Sequence, residues 1–374
     1  MGFCPELTET SGRATVVTKT PFIEINGRRI GSGYSTYIVA EMSANHDQDF
    51  DRAVNIIREA KKAGADAVKL QTYTPDTITI DCENELFQIP EGNTWEKQTL
   101  HELYKKAYTP WEWQPRLKKI ADEIGIDLFS TPFDSTAVEF LEGIGVSVYK
   151  IASFELVDIP LIEQIARTGK PIIMSTGLAT LSEIDEAVKA ARVAGAKQIA
   201  LLKCTSTYPA PPEEMNLATI PHLSSTFNSP SGLSDHTLGT AVSVAGVAFG
   251  ACIIEKHFTL SRSDPGPDSA FSLEPAELRE LVESIRIVEK AIGTVNYEVT
   301  AREADNRCFR RSLFAVEDVK AGETFTQENV RSIRPGYGLA PRYLSEILGR
   351  RAARDIKRGT PMDWDLVAGK VTDT

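Results

Sequence analysis

Apolar residues fall into a repeating rhythm from Tyr37 onward: a short run rich in β-branched side chains, then a longer stretch with apolar positions three and four apart. The short runs are YIVAEM (37–42), ADAVKLQTY (65–73), IDLFSTPF (126–133), VSVYKIAS (146–153), KPIIMSTG (170–177), QIALLKCTS (198–206), SPSGLSDH (229–236) and ACIIEKHFT (251–259). Between them lie helical stretches such as DRAVNIIREAKKAG, STAVEFLEGIG and LSEIDEAVKAARVAG. Such alternation predicts βαβ units around a parallel sheet. Gly64, Gly145, Gly169 and Gly195 stand just before strands, where a left-handed helix C-cap favours glycine. A last helix is predicted over 275–292, with Leu278, Leu281, Val282, Ile285, Val288 and Ile292 on one face. Eight strand–helix pairs are what closes a (β/α)₈ TIM barrel. An open doubly wound sheet is the rival, and the absence of GxGxxG after the first strand weighs against it.

The rhythm stops at Gly293. The polar stretch 294–308 reads as a linker. From Phe309 short strands, tight turns and a basic end (RRAARDIKRG) predict a small second domain, 309–374. The expected organisation is a loose polar tail over 1–20, a barrel domain over 21–293, the linker and the small domain.

A net charge of −11 argues against nucleic acid or an acidic membrane surface as main partner. The five cysteines are scattered and never spaced CxxC, as in reduced cytosolic proteins. No apolar run is long enough to span a bilayer, and the first residues lack the order of a signal peptide. A cytoplasmic protein is therefore expected.

In a TIM barrel the C-terminal strand ends face the active site. Those positions hold Glu41, Lys69, Gln71, Thr131, Lys150, Ser153, Ser175, Thr176, Lys203, Ser234, His236 and His257. Polar groups at nearly every strand end are costly unless paired, solvated or used. His236 and His257 fall on neighbouring strands and either share one divalent metal ion or are two hydrogen-bonded histidines. His46, in the loop after the first strand, is a weaker candidate, and His101 and His222 are expected at the surface. Lys69, Lys150 and Lys203, with Thr131, Ser153, Ser175 and Ser234, suit a small phosphate or carboxylate. No Walker motif points to a nucleotide triphosphate. Glu41, Glu155 and Asp268 are candidate general acids or bases, or salt-bridge partners of the rim lysines. A metal-dependent hydrolase is a rival function, but it usually has an HxH on strand 1, where Glu41-Met42-Ser43 stands. A non-enzymatic carbohydrate- or ice-binding protein is the other rival, and a lysine-rich rim argues against it.

Nine ordered segments, AEMSANH, GADAVKLQTYTPDT, STPFD, YKIASFE, GKPIIMSTG, KCTSTYPAP, GLSDHTLG, EKHFT and GPDSAFSLEP, resemble the sialic acid synthase family of phosphoenolpyruvate-dependent nonulosonate synthases. RRSLFAV and IRPGYG resemble its C-terminal antifreeze-like (SAF) domain. The resemblance implies condensation of phosphoenolpyruvate with an amino-sugar aldehyde to give a nonulosonic acid and phosphate. It implies a homodimer in which one chain's small domain covers the other's barrel. It also implies a divalent metal on His236 and His257, manganese favoured, with magnesium or cobalt as alternatives. Phosphoenolpyruvate contacts map onto Lys69, Thr131, Lys150, Ser153, Ser175 and Ser234. Sugar contacts map onto Gln71, Tyr208, Glu155 and Asp268, with Arg334 from the partner chain. LQTYTPDT, YTPWEW, ASFE and DSAFSLEP look like the pseudaminic acid synthase branch, whose acceptor is a 2,4-diacetamido-2,4,6-trideoxy hexose (L-altrose favoured). N-acetylneuraminate and legionaminate synthases are the alternatives. The former typically read GSGE at 152–155 and carry Asn where Ser206 stands. Phe154 and Phe271 would offer apolar surface to such an acceptor.

Overall fold

The structure, a computed structural model, describes residues 20–92 and 94–369. Apart from Thr20, the expected tail lies outside the described residues. These fall into two compact units divided after Gly293.

The first unit opens with a hairpin of β1 (Phe22–Ile25) and β2 (Arg28–Gly31). Its turn, Asn26-Gly27, has φ of 48° and 78°. Two positive φ values at a two-residue turn match the twist of the flanking strands. The expected rhythm did not include this hairpin.

Eight parallel strands follow: β3 (Tyr37–Glu41), β4 (Ala67–Thr72), β5 (Asp127–Pro132), β6 (Tyr149–Ile151), β7 (Ile172–Ser175), β8 (Ile199–Cys204), β9 (Ser231–Asp235) and β10 (Ile253–His257). Each falls inside one of the eight runs read from the sequence. They form a closed barrel in chain order, β10 pairing with β3. Helix α1 (Phe50–Ala63) follows β3, capped by the Asp49 carboxylate at its start and by Gly64 at φ 94° at its end. After β4 a long excursion carries two short helices, α2 (Pro75–Ile78) and α3 (Leu100–Ala107), before the barrel helix α4 (Gln114–Ile124). The remaining helices are α5 (Ser135–Ile144), α6 (Ile159–Arg167), α7 (Leu181–Val193), α8 (Thr219–Phe227), α9 (Ala241–Ala248) and α10 (Pro275–Ile292). On α10, Leu278, Leu281, Val282 and Ile285 are buried as expected, but Ile292 is 53% exposed because the helix has by then run past the barrel. Among the described residues no helix is long and apolar enough to cross a membrane.

Period-two alternation along the strands divides two cores. Ile38, Val68, Leu128, Ile151, Ile172 and Leu201 pack with the helices. Val39, Ala67, Phe129, Val148, Ile173, Ala200, Leu202 and Ile253 cluster with Ile23, Ile25 and Ile30 of the hairpin. The lower interior is therefore apolar and stoppered by the hairpin. The upper interior is polar throughout: Glu41, Lys69, Thr131, Lys150, Ser175, Ser234, Glu255 and His257 are all buried there.

In the second unit, β11 (Ser312–Ala315) pairs antiparallel with β12 (Val330–Ile333), and β13 (Arg351–Ala352) with β14 (Val367–Ala368). Leu313, Val319, Phe325, Val330, Ile347, Ile356 and Met362 form its core. Gly338 of the PGYG run lies against the Leu313 carbonyl so closely that a Cβ would stand 2.3 Å from that oxygen. Only glycine fits there.

Candidate active site

Strand register sets Glu41 of β3 beside Lys69 of β4. Their side chains meet, Lys69 Nζ lying 2.7 Å from Glu41 Oε2. On β10, the neighbour of β3, Glu255 gathers the other donors. Its Oε1 accepts from Ser234 Oγ at 3.1 Å and lies 3.5 Å from Lys150 Nζ and 3.8 Å from Lys69 Nζ. Its Oε2 is buried without a hydrogen-bond partner. Lys150 also donates to Ser175 Oγ at 2.7 Å, and Lys69 to Thr131 Oγ1 at 3.3 Å. Two lysines and three hydroxyl residues are thus knotted around two carboxylates in a buried layer. Lone ionised groups could not persist there.

Above this layer the His236 and His257 rings lie 5.4 Å apart, centroid to centroid. His236 Nδ1 donates to the Thr205 carbonyl at 2.9 Å, so Nε2 is the nitrogen that a cation would take once the ring gives up its second proton, which, against burial, Cys204, Thr205 and Glu255 help it to keep. His257 Nδ1 is buried with no hydrogen-bond partner, and Asp268 Oδ2 stands 4.0 Å away. Burial, then the nearby His236 and lysine charges, hold His257 well below the usual imidazole range, so it is neutral. An unspent imidazole nitrogen beside a second imidazole and a carboxylate fits a divalent cation. Among the described residues no group of three or more His, Cys, Asp or Glu forms a ready cage. A cation here would therefore keep positions open for water or substrate. Asp268 is held by Ser43 Oγ, and Gln71 Nε2 donates both to Glu41 Oε1 at 3.0 Å and to Ser43 Oγ at 2.9 Å.

Residues 56–297, well over half of the chain, match the model of the NeuB family, and residues 310–368 match the SAF domain. The chain belongs to the NeuB family. A pseudaminic acid synthase of Campylobacter jejuni is 45% identical over 323 residues, 86% of this chain and 94% of its own length. That of Helicobacter pylori is 43% identical over 329 residues, 88% and 96% respectively. A solved N-acetylneuraminic acid synthetase from Leptospira borgpetersenii, in complex with citrate, superposes with a TM-score of 0.68 at 34% identity, over 77% of this chain and 95% of that one.

Within this NeuB barrel several expected positions are corrected. Lys203 alternates with the inward residues Leu202 and Cys204, and its Nζ bonds the Cys204 carbonyl and Thr205 Oγ1 of its own segment. It does not join Lys69 and Lys150. His46 is fully buried with both ring nitrogens engaged, Nδ1 by the Gln48 amide and Nε2 by Thr109 Oγ1. His101 is half-buried and bonds the exposed Asp76 at 3.1 Å. Phe154 is 57% exposed, whereas Phe271 is buried against His257. Arg334 is exposed in the second unit.

Two residues overlooked in the sequence are central. Glu255 sits two positions before His257 on the same strand, so it had to share its inward face. Cys204 Sγ lies 3.9 Å from His236 Nδ1. Burial would raise this thiol, but His236, Ser153 and Lys150 outweigh it and bring it down to about 6. Ser153 and Ser206 present their hydroxyls side by side: a Cβ at Gly177 would stand 2.2 Å from Ser206 Oγ and 2.7 Å from Ser153 Oγ. The Ser206 position therefore keeps a hydrogen-bonding group.

Glu155 buries its Oε2 without a partner, and desolvation pushes its carboxyl up to about 7. As pH rises from about 4.5 to about 7 the unfolded chain ionises this group while the native state resists, so native stability falls through that window. Glu155→Gln should match the wild type near the bottom of the window and exceed it above the top, by no more than about 3 kcal/mol. Urea unfolding at acidic and mildly alkaline pH measures the difference.

Proposed function

We propose that this protein joins phosphoenolpyruvate to the open-chain aldehyde of an acetamido sugar, adding water and releasing phosphate to give a nine-carbon keto sugar acid. The observation that carries the reading is the convergence of Lys69, Lys150 and Ser234 on one buried carboxylate oxygen directly below the imidazole pair. Identity of 43–45% to pseudaminic acid synthases supports 2,4-diacetamido-2,4,6-trideoxy-L-altrose as the acceptor and pseudaminic acid as the product.

In this reading Lys69, Lys150, Thr131, Ser153, Ser175 and Ser234 grip the phosphate and carboxylate of phosphoenolpyruvate through charge-assisted hydrogen bonds. Gln71, Tyr208 and Asp268 orient the sugar, so that C3 of the enol faces the aldehyde carbon and the encounter becomes a positioned one. His236 and His257 would hold the divalent ion, manganese in preference to magnesium or cobalt, which when bound supplies Lewis-acid polarisation of a carbonyl oxygen. C–C bond formation leaves positive charge at C2, water adds there, and C–O cleavage releases phosphate. Glu41 is raised to about 7 by burial and by Glu255, against the pull of Lys69, and Glu155 reaches about 7 by burial. Both exchange protons near neutral pH, the range in which an acid–base catalyst works best. Asp268 is held upward by burial as well. Arg334 of a partner subunit completes the sugar site in a cytoplasmic homodimer whose small domain covers the neighbouring barrel.

Purified protein given phosphoenolpyruvate and manganese should release phosphate only when a suitable acetamido sugar is added. Mass spectrometry should then find the nine-carbon acid. Phosphate release that ignores the sugar would overturn the reading. A product from N-acetylmannosamine or from the legionaminate precursor alone would redirect the acceptor assignment.

A further inference from the structure

Trp95, in the excursion between β4 and α4, approaches the imidazole pair by way of Tyr208 and Phe271. Trp95 stacks toward Tyr208, with ring centroids 5.4 Å apart at 51°, and toward Phe271 at 6.5 Å and 76°. Its Nε1 donates to the Pro267 carbonyl at 3.0 Å, and the preceding Thr94 hydroxyl donates to the Tyr208 carbonyl at 2.7 Å. Tyr208 in turn lies 4.3 Å from His236 at 35°, and Phe271 lies 5.1 Å from His257. Three aromatic rings thus form a wall rising directly from the two imidazoles, with the half-buried indole as its outer course. A sugar whose carbonyl lies at the imidazoles has this wall as the apolar surface along which its carbon chain can lie. The indole N–H is spent on Pro267, so Trp95 has only apolar surface and a π face to offer.

From this we infer that Trp95 is a specificity-determining residue that selects acceptors ending in a methyl group over those ending in a hydroxymethyl. The inference rests on the function proposed above. A methyl packs against the indole face without loss, whereas a hydroxymethyl packed there gives up hydration that a carbon surface does not replace.

The test measures initial rates of phosphate release with the 6-deoxy diacetamido sugar and with its 6-hydroxy counterpart, for wild type, Trp95→Ala and Trp95→Phe. The wild type should prefer the 6-deoxy sugar by about tenfold in kcat/KM. Trp95→Ala should raise KM for that sugar by about tenfold and erase the preference, with KM for phosphoenolpyruvate within about twofold. Trp95→Phe should keep most of the preference. An alanine variant that retains the preference, or loses both sugars and phosphoenolpyruvate affinity together, overturns the inference and leaves Trp95 a structural clamp. A wild type that makes product without any preference also overturns it, while the proposed function stands. A wild type that releases no phosphate with any acetamido sugar fails the proposed function itself, and this inference with it.

Discussion

His257→Ala should lower kcat by about a thousandfold or more, the scale expected when several kcal/mol of charge stabilisation at the reacting carbonyl are removed. The fold should survive. A histidine kept for structure spends both nitrogens, as His46 does on Gln48 and Thr109. His257 does the opposite: its Nδ1 is buried with no hydrogen-bond partner, and the ring is held neutral. Alanine there removes packing but breaks no hydrogen bond of that nitrogen. Dialysis of the wild type against a chelator should cause a loss of similar size, reversed by manganese, and should leave the variant no worse. Turnover measured beside thermal unfolding separates the two roles. An active variant, or a chelated enzyme at full rate, would remove the metal from the proposal.

The second large effect is expected at Glu255. Alanine there leaves Lys69 and Lys150 buried with Glu41 as the remaining carboxylate of the layer. Breaking a buried pair from one side costs about 3–5 kcal/mol, because the stranded charge keeps its desolvation penalty. The lysines would also lose the group that gathers them, so kcat/KM for phosphoenolpyruvate should fall by about a hundredfold, mostly through KM. Glu255→Gln can still accept from Ser234 but no longer balances charge, so its deficit should fall between wild type and alanine. Chemical denaturation and steady-state kinetics on both variants read the two effects. A Glu255→Ala protein of unchanged stability would mean that the lysines are not charged in this layer.

All eight barrel strands could be read from the chain because each is covered on both sides, leaving unbroken apolar runs between helices. The hairpin was passed over even though Ile23 and Ile25 alternate with exposed residues and Asn26-Gly27 marks the turn. Four-residue strands carry little periodic signal, and their burial comes from a barrel end that forms only after closure. Among site residues, the histidines and Lys69 stood out as polar breaks at strand ends. Glu255 did not, because it lies two residues inside the strand, and Lys203 was misread because strand-end position says nothing of which face a residue takes. Trp95 belongs to an excursion whose partners are distant in sequence, so no local pattern announced it.

The isoleucine stopper has a kinetic consequence. A shaft closed at its base has one way in, and the cationic donors of Lys69 and Lys150 lie deeper than the imidazoles and the aromatic wall. In the proposed reaction the phosphorylated enol would therefore load before the sugar seals the passage. On the same reading, phosphate left at the lower level would wait for the occupant above it to depart.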